Sequence, residues 1–244
     1  SQRREKIGAG MFVAEGDLVV SRALDAGCET VALLCDELHG VQLAARVDGA
    51  APVYVGDDAL RKEVTGLGVP LSATGLFRRP ALREPADVLR DSRFVVVMEA
   101  VDNPTNLGAI VRSAAALGWE GLVLDSTSAD PLARRALRVS MGTGLSLPFA
   151  RLAPDEDLVT VLHRHGFVTC ALTPDDTAVD ISGLNNTGDG KVAVLLGSER
   201  TGLSPSTMSQ AVHRVRIPMH AGTDSLNVGA AAAIALQLLG PNSR

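Results

Sequence analysis

The amino-acid sequence predicts an α/β fold with a parallel sheet, divided into a smaller N-terminal and a larger C-terminal domain. The first observation is alternation, because short apolar stretches of β type are separated by segments with helical spacing. The second is composition: 46% of the 244 residues are hydrophobic, which allows a sizeable core. The third is a charged stretch with two prolines at residues 77–93, "FRRPALREPADVLRDSR", which lacks a strand pattern and indicates a domain boundary.

The predicted elements follow one another along the chain. Strands are expected at "ETVALLCDE", "APVYVGD", "FVVVMEAV", "GLVLD", "FVTCALT", "KVAVLLG" and "RVRIPM", and helices at segments such as "DDALRKEV" and "NLGAIVRSAAALG". Such alternation favours parallel strands covered by helices. We therefore predict an N-terminal α/β domain over residues 1–80, a linker over 81–92 and a C-terminal parallel-sheet domain over 93–244.

The charge balance limits the partners of the chain. A net charge of -5 weighs against wholesale binding of nucleic acid, which usually selects basic surfaces. Locally, however, cations gather in small groups, and each group is either an ordinary solvated face or part of a surface for RNA. These groups are Arg3, Arg4 and Lys6; Arg78, Arg79 and Arg83; Arg134, Arg135 and Arg138; and His213, Arg214 and Arg216.

Several features predict a cytoplasmic protein without a membrane anchor. The longest apolar run, residues 226–239, falls short of the roughly 20 residues that a membrane helix needs, which indicates a core helix. The first residues, "SQRREKIGAGMF", lack the apolar segment of a signal peptide. The three cysteines, Cys28, Cys35 and Cys170, are odd in number and scattered, which favours neither a disulfide framework nor a metal site.

The first candidate site is the junction after the apolar strand "FVVVMEA", where "VDNPTNLGAIVRSAAALG" runs from a polar loop into a helix. Asn103 or Asn106 can cap this helix, and Pro104 suits the turn. Arg112 stands on an otherwise apolar helix, and an unpaired buried charge is very costly. Its guanidinium therefore either binds an anion or extends to water at the edge of the core.

The second candidate site is "VAVLLGSERTGLS", which again passes from a strand through a loop to a helix start. Gly197 allows a ligand to approach the backbone, Gly202 permits a turn, and Glu199 places a carboxylate in the loop. The stretch lacks the lysine of a phosphate-binding loop, and no dinucleotide-binding glycine pattern occurs in the chain, which disfavours nucleotide triphosphatases and Rossmann dehydrogenases.

The third candidate site is "RIPMHAGTDSLNVGAAAAIALQLLG", where small polar residues precede an alanine-rich helix. Asp224 or Ser225 can cap the helix, and Ser225 and Asn227 fall at the same end of the sheet as the two earlier loops. Ligands of open α/β sheets bind at the carboxyl ends of the strands. The three junctions are therefore either the wall of one pocket or three independent turns.

These stretches also resemble a known family. "NPTNLGAIVRSAAALG", "LLGSERTGLS" and "RIPMHAGTDSLNVGAAAAIAL" are similar, in order and spacing, to the three motifs of the SpoU (TrmH-type) RNA ribose 2'-O-methyltransferases, and the intervening "DPLARRALRVSMGTGLSLPF" looks like the family's connecting segment. The resemblance covers residues 94–240. More weakly, "GMFVAEGDLVVSRALDAG" and "APVYVGDDALRKEVTG" resemble the L30e-like substrate-binding domain that many members carry.

The resemblance implies a C-terminal domain of the SPOUT type with a deep trefoil knot, a homodimer with active sites at the subunit interface, and S-adenosylmethionine as methyl donor without a metal. It assigns catalysis to Arg112, supported by Asn106, Glu199, Ser225 and Asn227. It assigns the cofactor to Gly197, Ile217, Leu226, Leu196, Leu172, Met219 and Asn227. For RNA contacts we expect Arg3, Arg4, Arg78, Arg79, Arg134, Arg135 and Arg200.

The expected substrate is structured RNA, because the reaction needs a 2'-hydroxyl that DNA lacks. The appended domain favours ribosomal RNA, with transfer RNA as the alternative. Two other classes remain open: a noncatalytic RNA-binding protein, which would not bind the cofactor, and a small-molecule enzyme, which would act without RNA.

Overall fold

The computed structural model describes residues 10–47, 51–184, 190–220 and 225–241. The strands are β1 (Met11–Glu15), β2 (Thr30–Cys35), β3 (Val53–Val55), β4 (Ala73–Arg78), β5 (Phe94–Met98), β6 (Gly121–Leu124), β7 (Phe149–Arg151), β8 (Phe167–Leu172), β9 (Val179–Asp180), β10 (Lys191–Leu196) and β11 (His213–Arg216). The α-helices are α1 (Asp17–Asp25), α2 (Glu37–Ala44), α3 (Asp58–Thr65), α4 (Pro85–Asp91), α5 (Pro104–Ala116), α6 (Arg134–Val139), α7 (Leu158–Arg164), α8 (Pro205–Gln210) and α9 (Val228–Leu239).

The chain forms two compact units. Unit 1 comprises residues 1–81 together with 131–146, and unit 2 comprises residues 82–130 together with 147–244. The sequence-based division differs from this one, because it assigns 131–146 to the C-terminal domain.

Unit 1 contains a four-stranded mixed sheet in the order β1-β4-β2-β3. β4 runs antiparallel to β1 and β2, whereas β3 runs parallel to β2. The sequence predicted parallel sheets and did not include β1 or β4 among its strands. β4 buries only alternate residues, Ala73, Gly75 and Phe77, so it lacks the continuous apolar run on which the prediction relied.

A buried charge explains why residues 131–146 belong to unit 1. Glu15, at the end of β1, has a side chain only 2% exposed, and it accepts hydrogen bonds from Arg134 of α6. Arg138 lies 3.6 Å from the second carboxylate oxygen, and Arg134 also donates to the Thr65 carbonyl at 2.9 Å. Because Glu15 and Arg134 are 119 residues apart, no local sequence pattern predicts this contact.

Unit 2 contains a seven-stranded sheet in the order β7-β6-β5-β10-β8-β11-β9, in which every neighbouring pair is parallel. This confirms the predicted parallel sheet of the C-terminal domain. The central strands β5 and β10 are buried almost throughout. Continuous apolar runs are typical of parallel strands covered on both faces, as in β5 and β10. All strands predicted for this domain appear, whereas the short β7 and β9 were not predicted.

Helix α4 lies within residues 81–92, the stretch predicted as a linker. Pro85 occupies its first turn, and Val88 and Leu89 are 1% and 0% exposed. The charged residues of this short helix face outward, so the sequence shows a charged stretch although the inner face joins the core of unit 2. None of the helices in the described parts of the chain has the length and apolarity required to cross a membrane.

Candidate functional site at the carboxyl edge of the large sheet

A cavity of about 650 Å³ opens at the carboxyl edge of the seven-stranded sheet. Strands β10, β8 and β11 are adjacent and parallel, so the loops that follow them meet at one edge. The start of α9 completes the wall. The lining residues are Leu172, Thr173, Pro174, Leu196, Gly197, Ser198, Glu199, Arg200, Thr201, Gly202, Leu203, Met208, Ile217, Met219, Ser225, Leu226, Asn227, Val228 and Ala231.

The loop after β10 is folded tightly against itself. The Gly202 N–H donates to the Ser198 carbonyl at 3.0 Å, and the Thr201 N–H donates to the Ser198 hydroxyl at 3.1 Å. A Cβ at Gly197 would lie 2.2 Å from the carbonyl carbon of Gly202, which real Cβ atoms do not tolerate. Gly202 itself has φ of +69°, which favours glycine. Both glycines are therefore needed for the shape of this wall.

Three polar side chains form a directed hydrogen-bond chain beside the cavity. The Asn227 Oδ1 accepts the Gly229 N–H at 2.9 Å and thereby caps α9. Its Nδ2 must then donate, and it does so to Asn106 Oδ1 at 3.0 Å. The Asn106 Nδ2 is left to donate to Glu199 Oε1. The helix cap thus fixes the orientation of both amides and presents Glu199 as the acceptor.

Asp125 supports the loop after β5, which carries Asn103, through hydrogen bonds that pass by way of Ser128. Burial raises the pKa of this carboxyl, but hydrogen bonds from Ser128 and Thr127 outweigh burial and lower its pKa below the ordinary value. The Ser128 hydroxyl accepts the Val101 N–H at 3.1 Å. Within this loop Ala100 has φ of +55°, a left-handed conformation that is unfavourable for a residue with a Cβ.

All seven residues predicted to hold the cofactor line the cavity: Gly197, Ile217, Leu226, Leu196, Leu172, Met219 and Asn227. Of the predicted catalytic residues, Glu199, Ser225 and Asn227 line it, and Asn106 joins them through the hydrogen-bond chain. Sequence reasoning missed Thr173, Pro174, Thr201 and Met208. Thr173 ends the predicted strand "FVTCALT" and Pro174 directly follows it, so the rule that ligands bind at carboxyl ends of strands would have found both.

Arg112 is the predicted catalytic residue that does not join this group. It is exposed on α5 and is not among the residues that line the cavity. Six residues separate it from Asn106, which in a helix of 3.6 residues per turn is a rotation of about 240°. Within the described residues its guanidinium has neither a hydrogen bond nor an ion pair.

The arginines predicted to contact RNA have different surroundings. Arg3 and Arg4 lie outside the described residues. Arg78 is exposed and pairs with Glu29 at 2.7 Å, and the main-chain N–H of Arg79 donates to the Gly10 carbonyl at 2.8 Å. Both are near one end of the unit 1 sheet.

The other three arginines predicted to contact RNA divide between the units. In unit 1, Arg134 is engaged by the buried Glu15, whereas Arg135 is exposed on the same helix. In unit 2, Arg200 lines the cavity and lies 3.8 Å from Asp102, with its side chain 87% exposed. Arg200 is thus the only one of the seven that the structure places at the cavity, among the residues described.

The fold and the cavity define an α/β protein with a candidate ligand site at the carboxyl edge of a parallel sheet, lined by apolar and polar side chains. Residues 93–237 match the model of the SpoU rRNA methylase family. An uncharacterised tRNA/rRNA methyltransferase of Mycobacterium tuberculosis is 37% identical over 234 residues, which cover 93% of this chain and 80% of that protein. The chain belongs to the SpoU rRNA methylase family, which confirms the resemblance.

Two further similarities extend the comparison. A 23S rRNA adenosine 2'-O-methyltransferase of Streptomyces laurentii is 35% identical over 163 residues, which cover 66% of this chain and 59% of that protein. The crystal structure of an AdoMet-bound rRNA methyltransferase from Sinorhizobium meliloti is 28% identical and superposes with a TM-score of 0.85 over 97% of this chain and 89% of its own.

Proposed function

We propose that this protein transfers a methyl group from S-adenosylmethionine to a ribose 2'-hydroxyl of structured RNA. The observation that carries the proposal is the cavity at the carboxyl edge of the sheet, with the chain from Asn227 through Asn106 to Glu199 beside it. The relatives support it, because the S. laurentii protein is named as a 2'-O-methyltransferase and the S. meliloti structure as AdoMet-bound.

The lining of the cavity fits this methyl donor. Apolar side chains of Leu172, Leu196 and Ile217 suit a purine, and Glu199 offers a negative charge to a cation. Arg200 is the one cation among the described lining residues, so the cavity is unsuited to a triphosphate. When bound, S-adenosylmethionine would supply a methyl group on positively charged sulfur: the ribose 2'-oxygen would bond to the methyl carbon as the carbon–sulfur bond breaks, and S-adenosylhomocysteine would leave. Such a transfer requires neither a metal nor a covalent enzyme intermediate.

The protein's own part in the reaction is alignment and charge stabilisation. The side-chain amides of Asn227 and Asn106 hold Glu199 in one orientation. Alignment of the reacting atoms by the cavity is a separate contribution, and holding reactants in line is worth roughly 7–11 kcal/mol in model reactions. We do not assign Arg112 as the base, because a guanidinium carries five N–H donors and no acceptor for a proton. We propose that Arg112 binds a substrate phosphate and stabilises the developing alkoxide, while the hydroxyl proton leaves through phosphate or water.

The position of Arg112 supports a homodimer with sites at the subunit interface. One subunit leaves this arginine exposed and away from its own cavity. Helix α9, which packs against α5, exposes Ile234 and Leu238 by 37% and 42%, four residues apart on one face. We propose that this face pairs two copies and that Arg112 of each copy serves the cavity of the other. The trefoil knot and the L30e-like nature of unit 1 stay predictions.

We favour ribosomal RNA as the substrate. We also propose that the protein acts in the cytoplasm. The S. laurentii and S. meliloti relatives both carry rRNA in their names, and the former matches only part of this chain. Transfer RNA is the alternative, since the M. tuberculosis relative is named for both.

The first experiment is transfer of radiolabelled methyl from S-adenosylmethionine to unmodified ribosomal and transfer RNA pools. We expect label in ribosomal RNA at positions that resist alkaline cleavage, and loss of label with Arg112→Ala. Arg164→Ala is the matched control, because Arg164 is also an exposed arginine on a helix of unit 2. Label in transfer RNA alone would change the substrate, and absence of cofactor binding would overturn the proposal.

A mixed-dimer experiment tests the shared site. Arg112→Ala and Glu199→Ala are each expected to be inactive as homodimers. Co-expressed with different tags and purified as a mixed dimer, they should regain part of the activity, because one of the two sites then has both residues intact. A mixed dimer that forms but stays inactive would contradict the exchange of Arg112 between subunits.

A further inference from the structure

Among the residues that the structure describes, no strand pairs with the outer edge of β3 in the sheet of unit 1. The Leu33 N–H donates to the Pro52 carbonyl and the Gly56 N–H donates to the Cys35 carbonyl, each at 3.0 Å. In a parallel pair, alternate residues turn their main-chain groups toward the neighbour. Residues 52, 54 and 56 therefore face β2, and the main-chain groups of Val53 and Val55 point away from the sheet. Proteins usually protect such an edge with charge, proline or a covering element.

At this edge Pro52 precedes a strand of only three residues, and the neighbouring exposed side chains are aliphatic and aromatic. Large apolar side chains of three consecutive elements, α2, β3 and α3, are between 45% and 81% exposed. We define the β3-edge surface as Leu38 (78%), Val41 (81%), Tyr54 (57%), Val55 (54%), Leu60 (45%) and Val64 (64%). Single exposed apolar residues are ordinary, but a group at an open sheet edge indicates an interaction site.

The packing of α3 fixes which of its faces is exposed, and the exposed face is apolar. Among its residues it buries Arg61 and Thr65, while Leu60 and Val64, four residues apart, face solvent. The Arg61 guanidinium donates to the Leu71 carbonyl at 2.6 Å and lies 3.8 Å from Asp36, whose side chain caps α2. A buried arginine thus ties α3 to the start of α2 and turns the apolar residues outward.

The elements of the β3-edge surface are also in direct contact. A Cβ on Gly40 of α2 would lie 2.9 Å from Val55 Cγ2, and a Cβ on Gly56 would lie 2.8 Å from Leu60 Cδ2. Val55 therefore packs over α2, and the start of α3 packs against the end of β3. Val55 is thus on the α2 side of the sheet, whereas Tyr54, the preceding residue of the strand, turns its side chain to the opposite face. The β3-edge surface therefore offers apolar side chains on both faces of the sheet edge.

Exposed acidic side chains outnumber basic ones on the elements of this region, and we call these acidic residues its acidic rim. The exposed ionic residues on these elements and the preceding caps are Glu37, Asp57, Asp58 and Glu63, with Lys62 as the single cation. Such a rim repels RNA, whose backbone selects basic surfaces. It also disfavours a second copy of this chain, because a twofold interface would bring the two acidic rims together.

We propose that the β3-edge surface docks an extended, basic and apolar polypeptide segment, which adds as a strand to β3. The open main-chain groups of Val53 and Val55 give the pairing, alternate apolar side chains contact the aliphatic groups, and cationic side chains meet the acidic rim. A methyltransferase that acts on RNA in a protein complex would thereby bind a basic protein with one face while RNA occupies others. The docking does not depend on the methyl transfer proposed above.

The test uses the full-length protein and a synthetic peptide of alternating lysine and valine, with a glutamate–valine peptide as the charge control. Binding is measured by fluorescence anisotropy, and contact sites by amide chemical shifts. The variant is Leu38→Lys with Val41→Lys, two positions so exposed that the fold should not change. The matched control is Leu82→Lys with Val212→Lys, which adds the same charge at apolar side chains 63% and 53% exposed.

We expect the lysine–valine peptide to bind, the glutamate–valine peptide not to bind, and shifts to centre on residues 53–56. Affinity should fall by about tenfold or more in the Leu38/Val41 variant and by much less in the control, since the variant also removes apolar contact. Equal loss in both variants, or no binding to the wild-type protein, would overturn the proposal. A change of oligomeric state or of RNA affinity in the Leu38/Val41 variant alone would also overturn it, in favour of a second copy or of RNA.

Discussion

The two units of this chain use burial in opposite ways. Unit 2 fills its core with aliphatic strands, and several polar side chains line the cavity at one edge of the sheet. Unit 1 buries Glu15 and Arg61 at 4% and 6% exposure and leaves Val41 and Leu38 in solvent. A smaller unit can bury a smaller fraction of its surface, and by our proposal a partner covers the apolar side chains that unit 1 leaves exposed.

The largest effect is expected from removing both cations next to Glu15, which tests whether unit 1 depends on its buried charges. Arg134→Ala with Arg138→Ala leaves a buried carboxylate without a cationic partner, which should destabilise unit 1 by about 3–5 kcal/mol. Hydrogen exchange of β1 amides measures the effect, because it reports on unit 1 separately. Arg90→Ala is the control: its pair with Asp87 is exposed, and surface pairs are worth less than about 1 kcal/mol. A small effect of the double variant would show that unit 1 does not depend on its buried charges.

The second prediction concerns the backbone packing of unit 2. Gly197→Ala puts a Cβ against the Gly202 carbonyl carbon, and overpacking of this kind costs about 1–3 kcal/mol. Because the loop lines the cavity, we expect calorimetry to show a matching loss of affinity for S-adenosylmethionine. Gly183→Ala serves as control, since a Cβ there meets open space. Unchanged cofactor affinity in Gly197→Ala would mean that the wall can move without consequence.

The third prediction sharpens the account of the loop after β5. Ala100→Gly relieves the left-handed conformation and should stabilise unit 2 by about 1 kcal/mol in thermal unfolding. Ala116→Gly, near the end of α5, should have the opposite sign, because glycine disfavours a helix. Stabilisation by both or by neither would show that the conformation of Ala100 carries no strain.

The smallest predicted effect is in unit 1. The side chain of Asp36 forms a hydrogen bond with His39, which lowers the pKa of the Asp36 carboxyl. Asp36 therefore stabilises the fold above its unfolded pKa of about 3.9, and this contribution disappears as the pH falls through the pKa of the folded state. Asp36→Asn keeps the helix cap but removes the charge, which should cost less than about 1 kcal/mol at pH 6. Stability curves of wild type and variant should converge below pH 4. A constant difference across this range would assign the effect to the cap alone.

The sequence predicted the cavity better than it predicted the domains. Gly197, Leu172 and Asn227 stand directly at strand or helix ends, where motif and period are local, and the structure brings them together. The relation of Glu15 to Arg134 spans 119 residues, and a single-chain pattern contains no signal for it. The sequence left open whether Arg112 binds an anion or extends to water, and it did not predict that Arg112 is absent from the cavity lining, because helical spacing does not tell which element a side chain faces.

The membership of residues 131–146 in unit 1 has a consequence for how the chain is made. During synthesis, β5 and β6 of unit 2 leave the ribosome before α6 does, so the unit that begins first cannot be completed until part of the second has emerged. Until then Glu15 lacks its ion-pair partners Arg134 and Arg138. A truncation that removes residues 1–81 likewise leaves Ala136 and Leu137, both buried in the intact protein, without the strand that they cover. The N-terminal part of this protein is therefore not a module that can be added or removed by a single cut.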